Sequence, residues 1–379
     1  MTPPLGRFRL LDLSRQLPGP FCSTLLADLG MDVLSITAPG DPFLLGIPSL
    51  ARNKRSMTLD LKDPRGREVF LRLADRADVV LEGFRPGVTA RLGVDHATLA
   101  ARNPRLVYCA ISGFGQDGPY RDKVGHDVNY LGWAGVLEYM GRDGEPPVVP
   151  GVQIADVGGG SLMAAVGILA ALMAREQTGR GQMVDVSLLD GALAWNVYHQ
   201  LLYAMRGTPP ARGREQLTGH HACYNVYETA DGRWLTLGAY ELHFWAALCR
   251  HLGREDLIAE QWSEDPVRSE LIGWLRVTFR AKPLAAWLEE LAPLDVCVGP
   301  VNGLEEAYRD PQVRHRGLVV EQQTASGPLR MIGPPIKLSD TPASVRTPPP
   351  GLGEHTDAVL AALGYDAATV AALHEAGVV

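Results

Sequence analysis

Cysteine is scarce in this 379-residue chain and badly spaced for cross-linking. Cys22, Cys109, Cys223, Cys249 and Cys297 are odd in number and include no CxxC pair. That pattern supplies neither a disulfide framework nor a zinc ribbon, and it implies reduced thiols in a cytoplasmic setting. Positive charge is also in the minority: 36 Lys and Arg face 43 Asp and Glu, for a net charge of −7 and a pI near 5.8. General attraction to nucleic acid or to an anionic membrane is thereby excluded, and a polyanionic ligand would need a local cluster of basic residues. The first nine residues carry Pro3, Pro4 and charges but no apolar core of a signal peptide, and no uninterrupted apolar run reaches the roughly 18 residues of a membrane span. Neither secretion nor a membrane partner is expected. No GxGxxG or GxxxxGK[ST] follows a strand pattern, so neither a dinucleotide site nor a P-loop site is supported. Internal repeats are absent as well.

What is present reads as a globular protein of two domains, 46% hydrophobic and 21% charged. Short apolar runs at 8–13, 33–36, 57–61, 79–81, 106–111 and 183–188 predict strands. Helical patterns at 20–29 and 64–77, each with proline near the start, fall between them. Strand and helix alternating at these intervals predict an α/β fold, a Rossmann-like doubly wound parallel sheet. The segment 158–175 is apolar all round and predicts a helix buried in a core or in an interface. Residues 207–219, rich in Gly, Pro and charge, read as a linker. A smaller α+β domain follows, opening with a hairpin around Ala230-Asp231-Gly232. A second hairpin is expected from 318–322 and 329–332, then a proline-rich connector over 334–350 and two short helices at 355–363 and 368–376.

Ligands of doubly wound sheets lie beyond the carboxyl ends of the strands. Gln16 follows the first strand, Asn53-Lys54-Arg55 precedes the third, and Arg85 and Arg91 follow the fourth. Lys54, Arg55, Arg85 and Arg91 are therefore candidate cations on one rim for a phosphorylated ligand. At breaks between apolar segments stand Gly125-His126-Asp127 and Asp156-Val157-Gly158-Gly159-Gly160. One imidazole and one carboxylate, each beside glycine, suit proton transfer near neutral pH. The same residues fit a core histidine and a helix cap equally well. The pair His220-His221 lacks further ligands at metal-site spacing and reads as part of a loop, so no metal is assigned.

Many segments, in order, resemble the class III CoA-transferase superfamily (CaiB/BaiF-like) and within it the α-methylacyl-CoA racemases. They are Gln16-Leu17-Pro18-Gly19-Pro20, Asn53-Lys54-Arg55-Ser56, Leu59-Asp60-Leu61-Lys62, Phe84-Arg85-Pro86-Gly87, Ser112-Gly113-Phe114-Gly115-Gln116, Gly125-His126-Asp127, Ala155-Asp156-Val157-Gly158-Gly159-Gly160, Thr229-Ala230-Asp231-Gly232, Gly238-Ala239-Tyr240-Glu241 and Gly353-Glu354-His355-Thr356. The resemblance implies an interlocked homodimer whose large domain is built from both ends of the chain. The corresponding boundaries are 1–186 for the first part of the large domain, 187–221 for a linker, 222–316 for the small domain, 317–350 for a return connector and 351–379 for the closing part.

For the site, the resemblance implies acyl-CoA as substrate and no metal or redox cofactor. His126, Asp156 and Glu241 match the racemase catalytic positions, and Asp156 alone matches the transferase nucleophile. Two readings stand: racemisation or epimerisation of 2-methylacyl-CoA at C2, or transfer of CoA between carboxylic acids through an Asp156 acyl-enzyme. Gln16, Lys62, Phe84, Arg91, Lys123, Val124 and Gly125 match CoA contacts. Candidate oxyanion donors are the N–H groups of Gly158-Gly159-Gly160, Asp156 or Asp127. Two departures bear on specificity. Ala38 stands where the family usually has an arginine, and Leu217-Thr218-Gly219-His220-His221-Ala222-Cys223-Tyr224 stands where racemases typically read Asp-Gly-Gly-Ala-Pro.

Overall fold

A computed structural model describes residues 3–41, 47–324 and 327–379. Six strands form one parallel sheet: β1 (Arg9–Asp12), β2 (Asp32–Thr37), β3 (Lys54–Thr58), β4 (Val79–Glu82), β5 (Val107–Ser112) and β6 (Met183–Ser187), in the order β3-β2-β1-β4-β5-β6. Burial on both faces of the inner strands β4 and β5 explains why they read as short continuous apolar runs rather than as alternating patterns. The strand order reverses direction between β1 and β4, which opens a crevice at their carboxyl ends.

The third strand begins three residues before its apolar run, because the small and polar residues of 54–56 pair with β2 as readily as the apolar ones that follow. This shift carries a correction. Lys54 and Arg55 open β3 at the amino edge of the sheet, so they do not lie on the carboxyl rim. Lys54 is buried, its ammonium donating to the Pro20 carbonyl (2.9 Å) and Ser23 Oγ (2.7 Å) and lying 3.5 Å from Asp12. Arg55 spends its guanidinium on Asp32.

The chain divides into two compact units, 3–134 with 151–195 and 311–379, and 135–150 with 196–310. The core of the first unit joins Leu11, Leu34, Met57, Phe70 and Tyr108 to Leu360, Leu373 and Val378 from the last segment. Backbone bonds tie that segment to β3, His355 N–H to the Ser56 carbonyl (2.9 Å) and Asp60 N–H to the Val378 carbonyl (2.8 Å). The second unit has a three-stranded antiparallel sheet, β7 (Tyr224–Glu228), β8 (Trp234–Gly238) and β9 (Val298–Pro300), packed on helices through Tyr227, Leu235, Trp245, Leu275 and Trp287. The hairpin β10 (Val319–Thr324) and β11 (Gly327–Ile332) forms as the sequence predicts, and its turn residues 325 and 326 lie outside the described residues.

Two sequence-derived boundaries change. The stretch 187–221 given to the linker holds the helix Leu188–Ala194 as well as Val197–Arg206, the latter where the aromatic-bearing pattern of 192–205 predicts a helix. The Gly- and Pro-rich stretch 135–150 belongs with the second unit. The apolar helix runs from Ile154 to Thr178 and has the length and composition of a membrane span, which a search for uninterrupted apolar residues overlooks. It packs on β5, β6 and the helix Pro18–Asp28, but Val166 and Met173 on its other face are exposed in the single chain. Within one copy the helix is thus buried on one face only.

Candidate active site

The loops at the carboxyl ends of β1, β4 and β5 meet where Ser14 and the Ile111 carbonyl approach Gly83. Gln16 adopts a left-handed backbone (φ +62°), unusual for a residue with a side chain and typical of a loop held in place by its surroundings. It is exposed, as are Lys62, Arg85, Arg91, Lys123 and Val124, while Phe84 and Gly125 are half-buried. A cation missed by the sequence reading joins them: the guanidiniums of Arg91 and Arg121 both approach Gly87. Lys123 Nζ sits over the rings of Tyr120 (4.2 Å) and Trp133 (4.8 Å), an aromatic group that continues through Phe114 to Tyr130. Where the family arginine is replaced by Ala38, Arg15 from the β1 loop reaches the β2 loop and pairs with Asp41 at 3.0 Å.

His126 is placed by the turn that precedes the helix Asp127–Trp133. Its N–H donates to the Asn129 side chain (3.0 Å), fixing the start of that helix. Beneath it the Tyr130 ring lies so close to Gly113 and Gly125 that a methyl group at either would fall within 3 Å of the ring. Its hydroxyl donates to the Gly125 carbonyl at 2.6 Å, and burial, with Asp156 second, pushes that phenol up to about 12. The first glycine of Gly-Phe-Gly and the glycine of Gly-His-Asp are thus spaces for one ring that supports the histidine loop.

Asp156 lies in the first turn of a wide, π-type helical segment, Ile154–Leu162, that runs into the helix Met163–Thr178. Such widened turns are frequent at functional positions. Its N–H donates to Asp127 Oδ1 at 2.9 Å. Burial first, then the charge of Asp127, pushes the Asp156 carboxyl up to about 6, and His126 works in the opposite direction. The structure thus brings His126, Asp127 and Asp156 within electrostatic reach of one another.

One of the oxyanion candidates falls away. The Asp156 N–H is already bonded to Asp127. Gly158, Gly159 and Gly160 are packing glycines: a Cβ on each would meet the Trp195 ring at 2.6 Å, the Ala192 nitrogen at 2.9 Å and Leu188 Cδ2 at 2.5 Å. Close approach of the helix Leu188–Ala194 requires them. The Asp127 N–H, at the first position of its helix, remains a candidate beside the glycine N–H groups.

Glu241 lies in the second unit, at the start of the helix Leu242–His251, exposed and near enough to Cys297 to act on its thiol. In the same unit the fold adds Glu264 to His220 and His221, with candidate ligand atoms within 4.8 Å of one another, a third partner that sequence spacing missed because it arrives from a distant loop. The Arg268 guanidinium already contacts the His220 ring (Nη1 to Nε2, 2.6 Å), so this group carries its own cation.

The profile of the family described as CoA-transferase family III matches residues 5–356. Alpha-methylacyl-CoA racemase of Homo sapiens is 37% identical over 362 residues, covering 94% of this chain and 92% of the relative. Succinate–glutarate CoA-transferase of Agrobacterium fabrum is 34% identical over 392 residues, covering 95% and 96%. Among solved structures, a CaiB/BaiF family protein from Brucella suis superposes with a TM-score of 0.83 at 29% identity, covering 96% of this chain and all of that one. With its parallel sheet, its Gly-His-Asp turn and its Asp156 segment matched along nearly its whole length, this chain belongs to CoA-transferase family III.

Proposed function

We propose that this family III enzyme is an acyl-CoA racemase or epimerase, interconverting (R)- and (S)-2-methylacyl-CoA by proton transfer at C2 and working as a cytoplasmic homodimer. The supporting observation is that an imidazole and a carboxyl group pushed up to about 6 are held together at the ends of two rigid elements. A carboxyl with that affinity for protons exists in both forms near neutral pH, which a two-base reaction requires. In one direction His126 takes the C2 proton and Asp156 returns its own to the opposite face; in the other the roles exchange. The intervening enolate needs a donor at the thioester oxygen, worth about 3–4 kcal/mol when well placed, and the Asp127 N–H is the proposed source. Glu241 is proposed to orient the His126 imidazole, as a carboxylate orients histidine in hydrolases. Gln16, Lys62, Phe84, Arg85, Arg91, Arg121, Lys123, Val124 and Gly125 are proposed to receive CoA, with Arg15 supplying charge near Ala38. No metal or redox cofactor enters this chemistry.

A second reading is favoured by the CoA-transferase relatives. There the Asp156 carboxylate would attack the thioester carbonyl, release CoA as thiolate and form a mixed anhydride. The two are separated by incubating the protein with (S)-2-methylacyl-CoA in D2O without any acid acceptor. Deuterium at C2, lost in His126→Ala, supports the racemase. Undeuterated C2 across several chain lengths, together with hydroxylamine capture at Asp156, supports the transferase.

A further inference from the structure

Proton transfer between His126 and Asp156 leaves the Asp127 side chain without a part, yet that carboxylate is the one that touches Asp156. We infer that Asp127 is a positioning residue for Asp156, acting on its main chain through the 2.9 Å bond to the Asp156 N–H and on its side chain through charge. The N–H groups of a first helical turn have no acceptor within their own helix, and Asp127 Oδ1 supplies one at the residue whose side chain must stay in register with C2.

An asparagine would offer the same acceptor oxygen, so the bond alone does not explain a carboxylate. Its charge does. A like charge nearby disfavours ionisation of the neighbouring acid, and Asp127 adds to burial in that sense. The other titratable groups around Asp156 are differently engaged. Tyr130 donates to Gly125, and Asp190 on the helix Leu188–Ala194 accepts from Ser187 Oγ. On the helix Pro18–Asp28, Asp28 is bonded to Arg52 and the Cys22 thiol is buried. Asp185 of β6 accepts from the Gln116 N–H, and Arg175 of the helix Met163–Thr178 pairs with Asp78. His126 remains, and it favours the ionised form. Asp127 is thus the neighbour that keeps a proton on Asp156, and under the racemase reading that proton is the one returned to C2.

The test measures protonation directly, so that it stands apart from whether racemase activity is found. Carbodiimide labelling of Asp156, which requires the protonated carboxyl, is followed by mass spectrometry across pH in the wild type, Asp127→Asn and Asp127→Ala, with Asp156→Asn as the blank. The wild-type midpoint is expected at about 6. In Asp127→Asn it moves toward acid by about one pH unit, since a charge is lost while the acceptor stays. Under the racemase reading, the acid limb of the deuterium-exchange profile moves with it. Asp127→Ala loses the bond as well, and its exchange maximum falls further than that of Asp127→Asn. A labelling midpoint in Asp127→Asn that coincides with the wild type overturns the inference, whatever the activity shows.

Discussion

Asp12 and Asp156 are two carboxylates drawn into the same unit, one at the end of β1 and one at the start of the wide helical segment, and their surroundings are opposite. Asp12 is 2% exposed and surrounded by donors: the Ser14 N–H at 2.9 Å, the Ser23 hydroxyl at 2.5 Å and the Lys54 ammonium at 3.5 Å. Around the half-buried Asp156 carboxylate the described residues supply no side-chain hydrogen bond or ion pair, and the nearest charged neighbours include another carboxylate. Donors hold a negative charge in place; a like charge keeps a proton available. The first arrangement builds the floor of the crevice, and the second leaves a group free to react.

The comparison breaks most sharply on activity. Asp156→Asn and His126→Ala are each expected to lower deuterium exchange at C2 by about 10²–10⁴-fold with the fold retained, measured by NMR alongside circular dichroism. On the structural side, Lys54→Met strips Asp12 of its cation. Removing one partner of a buried pair costs about 3–5 kcal/mol, and urea unfolding should show a loss of that size. A smaller effect comes from Gly159→Ala, where the new methyl meets the backbone of Gly191 and Ala192; overpacking of this kind costs about 1–3 kcal/mol, seen as a lower urea midpoint.

The smallest effect has an unusual sign. Because the Asp156 carboxyl is raised from 3.8 to about 6, the native state keeps a proton that the unfolded chain has already released between those values. Stability therefore falls as pH rises through that window and stays lowered above it. Asp156→Asn removes the penalty. It should be more stable than the wild type at pH 7.5, by less than about 1 kcal/mol given the partial solvation of the site. The difference should shrink on lowering the pH to 4.5, followed by thermal unfolding.

The difference between these two carboxylates also marks what was legible in the sequence. The inner strands were visible because burial on both faces demands apolar runs, and Asp156 was visible because it stands just before three glycines at the head of an apolar helix. The purpose of those glycines was not, since nothing local to residues 158–160 announces the helix at 188–194 that they meet. Lys54 was misplaced because its charge suggested a rim, whereas the pairing of β3 with β2 puts it at the strand's beginning with its ammonium inside. Arg121 was missed for a related reason: its neighbour Arg91 lies thirty residues earlier, and only the turn at Gly87 brings them together.

The discontinuity of the first unit bears on how the protein is made. Its core needs Leu360, Leu373 and Val378, and these leave the ribosome only after the second unit's last segment, 196–310, has been completed. At roughly 5–20 residues per second, the growing polypeptide spends several seconds with the second unit ready to fold while the amino-terminal sheet waits for its missing helices. During that interval the nascent sheet exposes the apolar surface that those helices will cover, which makes it the stage of synthesis at which a chaperone would have most to bind.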